Sequence, residues 1–117
     1  MATGKEYKEF ILEQLSLLDN IVCRPMMGEY LLYYKGVLFG GIYDDRFLVK
    51  MLDTNKKYSM KEAIPYEGAK PMYLVDDVDN KELLKSIVID TCEYYGIREW
   101  ALSYFLKQLL NIFLVLF

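Results

Sequence analysis

The sequence predicts an α+β domain of two layers, in which a mainly antiparallel sheet of about five strands packs against N-terminal and C-terminal helices. Two observations support this fold class. Short apolar runs separated by turn residues fill residues 21–50, as is typical of an antiparallel meander. Apolar residues at helical spacing precede and follow the sheet, and 117 residues suffice for one domain with a substantial core.

The first predicted helix begins at a capping box, because Thr3 is followed three residues later by Glu6. Its apolar stripe consists of Tyr7, Phe10, Ile11, Leu15 and Leu18. These residues follow the i, i+3, i+4, i+7 spacing of one helical face. The polar pair Asp19-Asn20 then ends the helix before the sheet begins.

Turn residues divide the meander at Lys35-Gly36 and at Asp44-Asp45, and Pro25 indicates an edge strand or a bend. Strict alternation places Val37, Phe39, Gly41 and Tyr43 on one face of the sheet and Leu38, Gly40 and Ile42 on the other. Glycine in mid-strand at positions 40 and 41 indicates a close neighbour. The sequence leaves open whether a helix, a bulge or a ligand approaches there.

The second half of the domain is predicted as helix, strand and helix. The polar stretch from Thr54 to Ile64 is typical of a short surface helix, and residues 70–75 form a strand, with another short strand possible near Tyr66. A second capping box at Asp79 and Glu82 begins a helix that Gly96 ends. The predicted order is therefore α-β-β-β-β-α-β-α.

Residues 97–117 form an apolar helical extension beyond the domain of residues 1–96. The polar residues Lys107, Gln108 and Asn111 disfavour a transmembrane span, so none is expected. The extension could be an oligomerisation element, a membrane-surface anchor or a non-native continuation of the reading frame. We favour a homodimer, because twofold symmetry lets one apolar patch cover its copy. The expected contact residues are Trp100, Phe105, Leu109 and Phe113.

The composition restricts the chemistry. The chain contains no His, which removes Ser-His and Cys-His pairs and the commonest general base, and no catalytic residue, metal site or cofactor is expected. The acidic pair at 44–45 is interpreted as a turn, and the three acidic residues within 76–79 as a helix cap. A net charge of −3 makes direct DNA binding unfavourable. Two unpaired cysteines and no signal peptide predict a cytoplasmic protein.

Two groups of residues are candidates for binding. A small basic patch with two tyrosines would suit an anionic ligand or an acidic partner; it is formed by Arg24, Lys35, Arg46 and Lys50 with Tyr33 and Tyr34. The alternative is a solvated sheet edge that charge protects from aggregation. The pair Met26-Met27 could offer a pliant docking surface, although methionines within a strand more often belong to a core.

The string from Arg24 to Lys50 resembles the N-terminal domain of the TfoX/Sxy competence regulators. The matching positions are Met26-Met27-Gly28-Glu29-Tyr30, Leu32-Tyr33-Tyr34, Gly36, Phe39-Gly40, Asp44-Asp45-Arg46, Leu48 and Lys50. The resemblance covers roughly residues 5–95. It implies a non-enzymatic regulatory domain that binds a protein partner, such as a transcription factor. The C-terminal helical domain of the best-known relatives has no counterpart here, and a binding domain for a small anionic ligand is the alternative.

Overall fold

A computed structural model describes the backbone of residues 2–116 and the side chains of residues 2–95 and 106–109. The α+β prediction is confirmed, with six strands instead of about five. The elements in chain order are helix α1 (Lys5–Gln14), strands β1 (Ile21–Met26), β2 (Glu29–Tyr34), β3 (Val37–Ile42) and β4 (Phe47–Val49), a 3₁₀-helix (Asp53–Tyr58), strands β5 (Lys61–Ala63) and β6 (Met72–Leu74), and helix α2 (Lys81–Leu116).

All neighbouring strands are antiparallel, in the order β1-β2-β3-β4-β6-β5. Residues from both helices and the sheet build one core, whose buried members are Ile11, Leu15, Leu18, Leu32, Phe39, Ile42, Phe47, Val49, Val75, Leu84, Ile87 and Val88. The helices therefore cover one face of the sheet, as predicted. The opposite side, here called the outer face, carries Val22, Arg24, Leu31 and Tyr33, whose strand positions alternate with core positions.

Three two-residue turns join the first four strands. Both central residues have positive φ in each turn: Met27 and Gly28 (51° and 84°), Lys35 and Gly36 (49° and 79°), and Asp44 and Asp45 (51° and 54°). Such type I′ turns match the right-handed twist of the strands that they connect. The second and third turns confirm the sequence prediction, and the first was not predicted.

Strict alternation along β3 is wrong, because a bulge interrupts the pairing with β2. Leu32 pairs with Gly40 and the next residue, Tyr33, pairs with Leu38, which leaves Phe39 as the extra residue. The extra residue resets the alternation, so Phe39 and Ile42 both enter the core below the helices. The bulge was one of the alternatives that the paired glycines left open.

The two strands at the edges of the sheet are poorly suited to pairing with a strand of another chain. Pro25 lies in β1, which is the edge strand that the sequence suggested, and a proline has no N–H to donate. The other edge, β5, has only three residues, and two of them are the exposed Lys61 and Glu62. Short, charged or proline-containing edges resist pairing with other chains.

Both predicted capping boxes are wrong by one residue. Helix α1 has Gly4 as its N-cap, because the Thr3 hydroxyl is engaged with the sheet. At α2 the side chain of Asn80, instead of Asp79, accepts a hydrogen bond from the Leu83 amide at 3.1 Å. Asn and Asp are both good N-caps, so the sequence pattern alone fits either position.

Two further boundaries differ from the prediction. The stretch predicted as a surface helix from Thr54 to Ile64 contains the 3₁₀-helix followed by strand β5, and no strand forms at Tyr66 among the described residues. Helix α2 also continues past residue 96 to Leu116, so Gly96 does not end it. No break in secondary structure therefore marks the predicted boundary between residues 96 and 97.

Buried polar contacts fasten the 3₁₀-helix to α2. The fully buried Asn55 amide donates to the Lys50 carbonyl at 2.7 Å and to the Thr91 hydroxyl at 2.9 Å. Its side-chain oxygen accepts from the Leu52 amide at 3.1 Å. One side chain thus satisfies three polar groups in the interior, where an unpaired group would be costly.

Candidate partner-binding groove

A carboxylate clamp ties the N-terminal segment to the tips of two hairpins. The two Glu29 oxygens accept from the backbone amides of Thr3 and Asp44, each at 2.7 Å. The Asp45 carboxylate accepts from the Gly4 amide at 2.9 Å. The Thr3 hydroxyl completes the clamp by donating to the Ile42 carbonyl at 3.3 Å. Charge-assisted hydrogen bonds of this kind hold both turns in fixed positions.

Arg46 fixes the segment of residues 64–71, here called the strap, near the third turn. Its guanidinium donates to the carbonyls of Ile64 at 3.1 Å and Pro65 at 3.3 Å, and to its neighbour Tyr43 at 3.2 Å. The Tyr66 ring lies against the Tyr43 ring, with centroids 6.2 Å apart and planes tilted by 50°. The strap therefore lies against the outer face beside the β3–β4 hairpin.

The clamp and the strap enclose a surface groove of about 940 Å³, here called the methionine–tyrosine groove. It is lined by Ala2, Met26, Met27, Glu29, Tyr43, Asp44, Arg46, Ile64, Pro65, Tyr66 and Glu67. Three large apolar side chains on it are exposed to solvent: Met27 by 98%, Tyr66 by 58% and Ile64 by 54%. A cluster of exposed apolar residues within a groove is typical of an interaction site.

A second groove of about 570 Å³, here called the lysine groove, lies on the other side of the strap. Its lining residues are Leu38, Gly40, Tyr43, Lys50, Met51, Leu52, Pro65, Tyr66, Ala69, Lys70, Pro71 and Met72. Tyr43, Pro65 and Tyr66 line both grooves. The two grooves therefore adjoin at these three residues.

Tyr43 is held as a neutral phenol at the junction of the grooves. Burial raises its pKa above the ordinary value, and the nearby Tyr66, Glu29 and Tyr33 raise it further. A neutral, 5% exposed phenol supplies a rigid apolar wall instead of a nucleophile or a base. The arrangement can hold apolar side chains against aromatic rings, with carboxylates at the rim.

The predicted basic patch does not form as one site. The Arg24 guanidinium lies 5.6 Å from the centre of the Tyr33 ring on the outer face. Arg46 belongs to the methionine–tyrosine groove, but its Nε and Nη2 groups donate to backbone carbonyls. Lys50 lines the lysine groove and donates to the Tyr95 hydroxyl at 2.9 Å. Local pairing thus separates the cations that the sequence grouped.

The predictions for the two methionines and for the tail residues agree with the structure only in part. Met26 and Met27 both line the groove, and the interpretation of Met27 as a core residue is wrong, since it sits in a turn. In the tail, Leu109 is 49% exposed. The side chains of Trp100, Phe105 and Phe113 lie outside the described residues.

Of the eleven residues that line the groove, the sequence proposed only Met26, Met27 and Arg46 for binding. The eight that it missed include Tyr43, Ile64, Tyr66 and Glu67. Tyr66-Glu67 lies within residues 5–95, over which the chain resembles the TfoX/Sxy N-terminal domain, and this resemblance is the one available signal for the segment. The periodicity of residues 64–71 could not place them, because the strap is irregular backbone. Its position depends on the Arg46 hydrogen bonds, which no local pattern predicts.

Within the described part of the chain, no group of three or more His, Cys, Asp and Glu residues could hold a metal ion. Burial raises the pKa of Cys92 to about 11, against a smaller lowering by Lys50, and it also raises the pKa of Cys23. Both thiols are therefore weak nucleophiles.

Within the part of the chain that the structure describes, no helix has the length and apolar character needed to cross a membrane.

Comparison with known proteins gives one relative. No family model matches the chain. The chain is 34% identical over 80 residues to a protein of Spirochaeta aurantia named "uncharacterized 12.7 kDa protein in trpE 5'region". The match covers 67% of this chain and 70% of the relative. The chain belongs to the family of that protein. The two proteins are therefore related over about two thirds of each chain, and the name of the relative gives no activity.

Proposed function

We propose that this chain is a non-enzymatic protein-interaction domain with a regulatory role, and that it binds its partner through the methionine–tyrosine groove. The observation that supports this most is Met27. Its side chain is 98% exposed, so it contributes almost no burial to folding. Its φ of 51° lies in the left-handed region, which costs a non-glycine residue about 1–2 kcal/mol.

Met27 lowers the stability of the folded chain and packs against no core residue, so contact with a partner is the best explanation for a methionine at this position. Methionine is unbranched and polarisable, so it adapts to irregular apolar surfaces. Ile64 and Tyr66 extend the same exposed apolar surface across the groove. Aromatic residues and methionine are enriched at the centres of protein interfaces.

The resemblance to TfoX/Sxy N-terminal domains supports a regulatory partner, such as a transcription factor, in the cytoplasm. Direct contact with DNA is a poorer proposal. The net charge is −3, and the groove rim carries the carboxylates of Glu29, Asp44 and Glu67. A phosphate backbone would be repelled by such a rim.

A binding site for a small anionic ligand is the second candidate, and the lysine groove is the observation in its favour. Lys50 and Lys70 line that groove together with apolar residues. Arg24 and Arg46, which were predicted to share the site, are engaged elsewhere. A thermal shift with inorganic phosphate that Lys70→Ala abolishes would favour this candidate over protein binding.

The tail supports a homodimer as an additional property. Leu106 and Leu109 are 64% and 49% exposed and lie three residues apart on α2, so they share one helix face. Light scattering of the whole chain should give a dimer that dissociates in the Leu106→Lys/Leu109→Lys variant. A wild-type chain that is monomeric at all concentrations would remove the dimer proposal.

Affinity capture with matched variants tests the proposed function. The bait is the whole chain immobilised in native lysate, beside Met27→Lys, Tyr66→Ala and the control Glu9→Ala on the exposed side of α1. Wild type and the control should retain the same specific protein, identified by mass spectrometry. Both groove variants should lose it while keeping their circular dichroism spectra.

Two results would contradict the proposal. In the first, the captured protein binds the groove variants as well as wild type, which places the interface elsewhere. In the second, the purified chain binds a DNA sequence selectively at physiological salt with sub-micromolar affinity.

A further inference from the structure

Charges are segregated between the two grooves. The methionine–tyrosine groove is lined by three acidic residues, Glu29, Asp44 and Glu67, and by one cation, Arg46, so its lining residues carry a net negative charge. The lysine groove is lined by Lys50, whose ammonium donates to the Tyr95 hydroxyl on α2, and by the exposed Lys70, with no acidic residue among its lining residues. The outer face beside the strap is therefore negative at one end and positive at the other.

Apolar surface connects the two ends. Met27 and Ile64 flank the acidic end, and Leu38, Met51 and Met72 line the basic end. Tyr66, 58% exposed, lines both grooves and lies where they adjoin. A ligand that uses both grooves must therefore cross an aromatic ring with apolar groups before it reaches the second charge.

We propose that the two grooves form one site for an extended peptide segment of a protein partner that carries opposite charges at its two ends. Lys or Arg side chains of that segment meet the acidic groove, apolar side chains meet Tyr66 and the methionines, and Asp or Glu side chains meet the lysine groove. This inference rests on the proposed function and specifies the chemistry of the partner.

Charge complementarity at both ends selects this occupant over others. A purely basic or purely acidic segment would gain at one groove and be repelled at the other. A small anion would use only the lysine groove and leave the exposed Met27 and Ile64 uncovered. An extended backbone places alternate side chains on the same side, so apolar residues can enter successive grooves.

Selection from a random peptide display library against the immobilised whole chain tests the proposal. Peptides retained by wild type and by Glu9→Ala, but lost on Tyr66→Ala, are the groove-dependent pool. That pool should be enriched in sequences with basic residues on one side of an apolar centre and acidic residues on the other. Either chain direction meets the prediction, because a peptide can bind in either orientation.

Charge reversal then assigns each end of a selected peptide. Glu67 and Lys70 are exposed residues of the strap, and neither makes an ion pair or a side-chain hydrogen bond within the described part of the chain, so their reversal should leave the fold intact. Glu67→Lys and Lys70→Glu should each weaken binding roughly 2- to 10-fold at low salt. Reversing the matching charges of the peptide should restore affinity, and about 0.5 M salt should reduce both effects.

The outcomes separate this inference from the proposed function. A groove-dependent pool with one charge sign or none would overturn the bipolar segment and leave protein binding through the groove in place. A library that yields no groove-dependent peptide would contradict both proposals. Self-association that Tyr66→Ala abolishes would assign the grooves to a second copy of the chain, which also overturns the inference.

Discussion

Met27→Asn should make the domain more stable and its partner binding weaker. Met27 and Gly28 are the central residues of a two-residue turn that closes β1 and β2, with φ values of 51° and 84°. Asn-Gly is the preferred sequence for a type I′ turn, because Asn tolerates the left-handed region better than other non-glycine residues. The substitution therefore relieves backbone strain at a position where folding gains nothing from methionine.

The magnitude follows from strain and burial. The left-handed conformation costs an ordinary residue about 1–2 kcal/mol, and Asn recovers part of that cost. Since the Met27 side chain is 98% exposed, its removal forfeits almost no burial. We expect the free energy of unfolding to rise by roughly 0.5–1 kcal/mol, which corresponds to about 2 to 5 °C in melting temperature.

Chemical denaturation and affinity capture measure the two effects separately, and Lys35→Asn is the matched control. Lys35 and Gly36 form the same kind of turn, with φ values of 49° and 79°, but line neither groove. The Lys35 ammonium lies 5.3 Å from the centre of the Tyr34 ring, so its loss offsets part of the gain. The control should be neutral or slightly stabilising and should bind the partner as wild type does.

Three results would refute this reasoning. If Met27→Asn lowers the free energy of unfolding, the methionine has a packing role that its exposure conceals. If Met27→Asn gains stability and retains full partner binding, Met27 is not a contact residue. If Lys35→Asn weakens partner binding to the same extent, the loss of binding comes from changing a hairpin turn and not from removing the Met27 side chain.

Three further substitutions test the fold. Gly41→Val should destabilise by about 1–3 kcal/mol in denaturant titration, since its Cβ would lie 2.5 Å from the Tyr30 carbonyl oxygen and 2.7 Å from the Tyr43 ring; an unchanged midpoint would contradict this. Asn55→Ala should cost roughly 2–4 kcal/mol, because buried groups lose their partners, and a cost below about 1 kcal/mol would mean that they find others. Tyr58→Phe removes a hydrogen bond to Asp90 and should cost about 1–2 kcal/mol near neutral pH. Burial alone would raise the pKa of Asp90, but hydrogen bonds from Tyr58 and Lys57 lower it below the ordinary carboxyl value. The stabilisation from the Tyr58–Asp90 hydrogen bond is therefore present above the ordinary carboxyl pKa and should vanish as pH falls below about 4.

The sequence predicted those parts of the fold that local chemistry determines. Turn residues at 35–36 and 44–45 placed two hairpins, and helical spacing placed the buried faces around Ile11 and Leu84. The prediction failed where a distant contact outweighs a local pattern. Thr3 follows the capping-box pattern, yet its hydroxyl bonds to the Ile42 carbonyl, 39 residues away. The bulge at Phe39 likewise arises from pairing between strands and leaves no mark in the alternation of one strand.

Three of the eleven residues that line the candidate groove could be found from sequence, and the other eight could not. Met26, Met27 and Arg46 were among the predicted binding residues, because their residue types suit contact. Ile64, Tyr66 and Glu67 belong to irregular backbone, where no periodicity exists to interpret. The sequence also could not show that the Arg46 guanidinium donates to carbonyls of the strap. Arg46 was therefore predicted to bind a ligand, whereas in the structure it holds one wall of the groove in place.

Stability and binding are therefore divided among neighbouring residues at this end of the sheet. Glu29, Thr3 and Asp44 form hydrogen bonds that hold the two hairpin tips together, and Arg46 holds the strap. These residues fix the groove before any partner arrives, which lowers the ordering cost of association. Met27, on the turn that the clamp holds, is free of such contacts and keeps a strained backbone. Under the proposed function, this rigid frame presents the pliant, exposed side chain of Met27 to the partner.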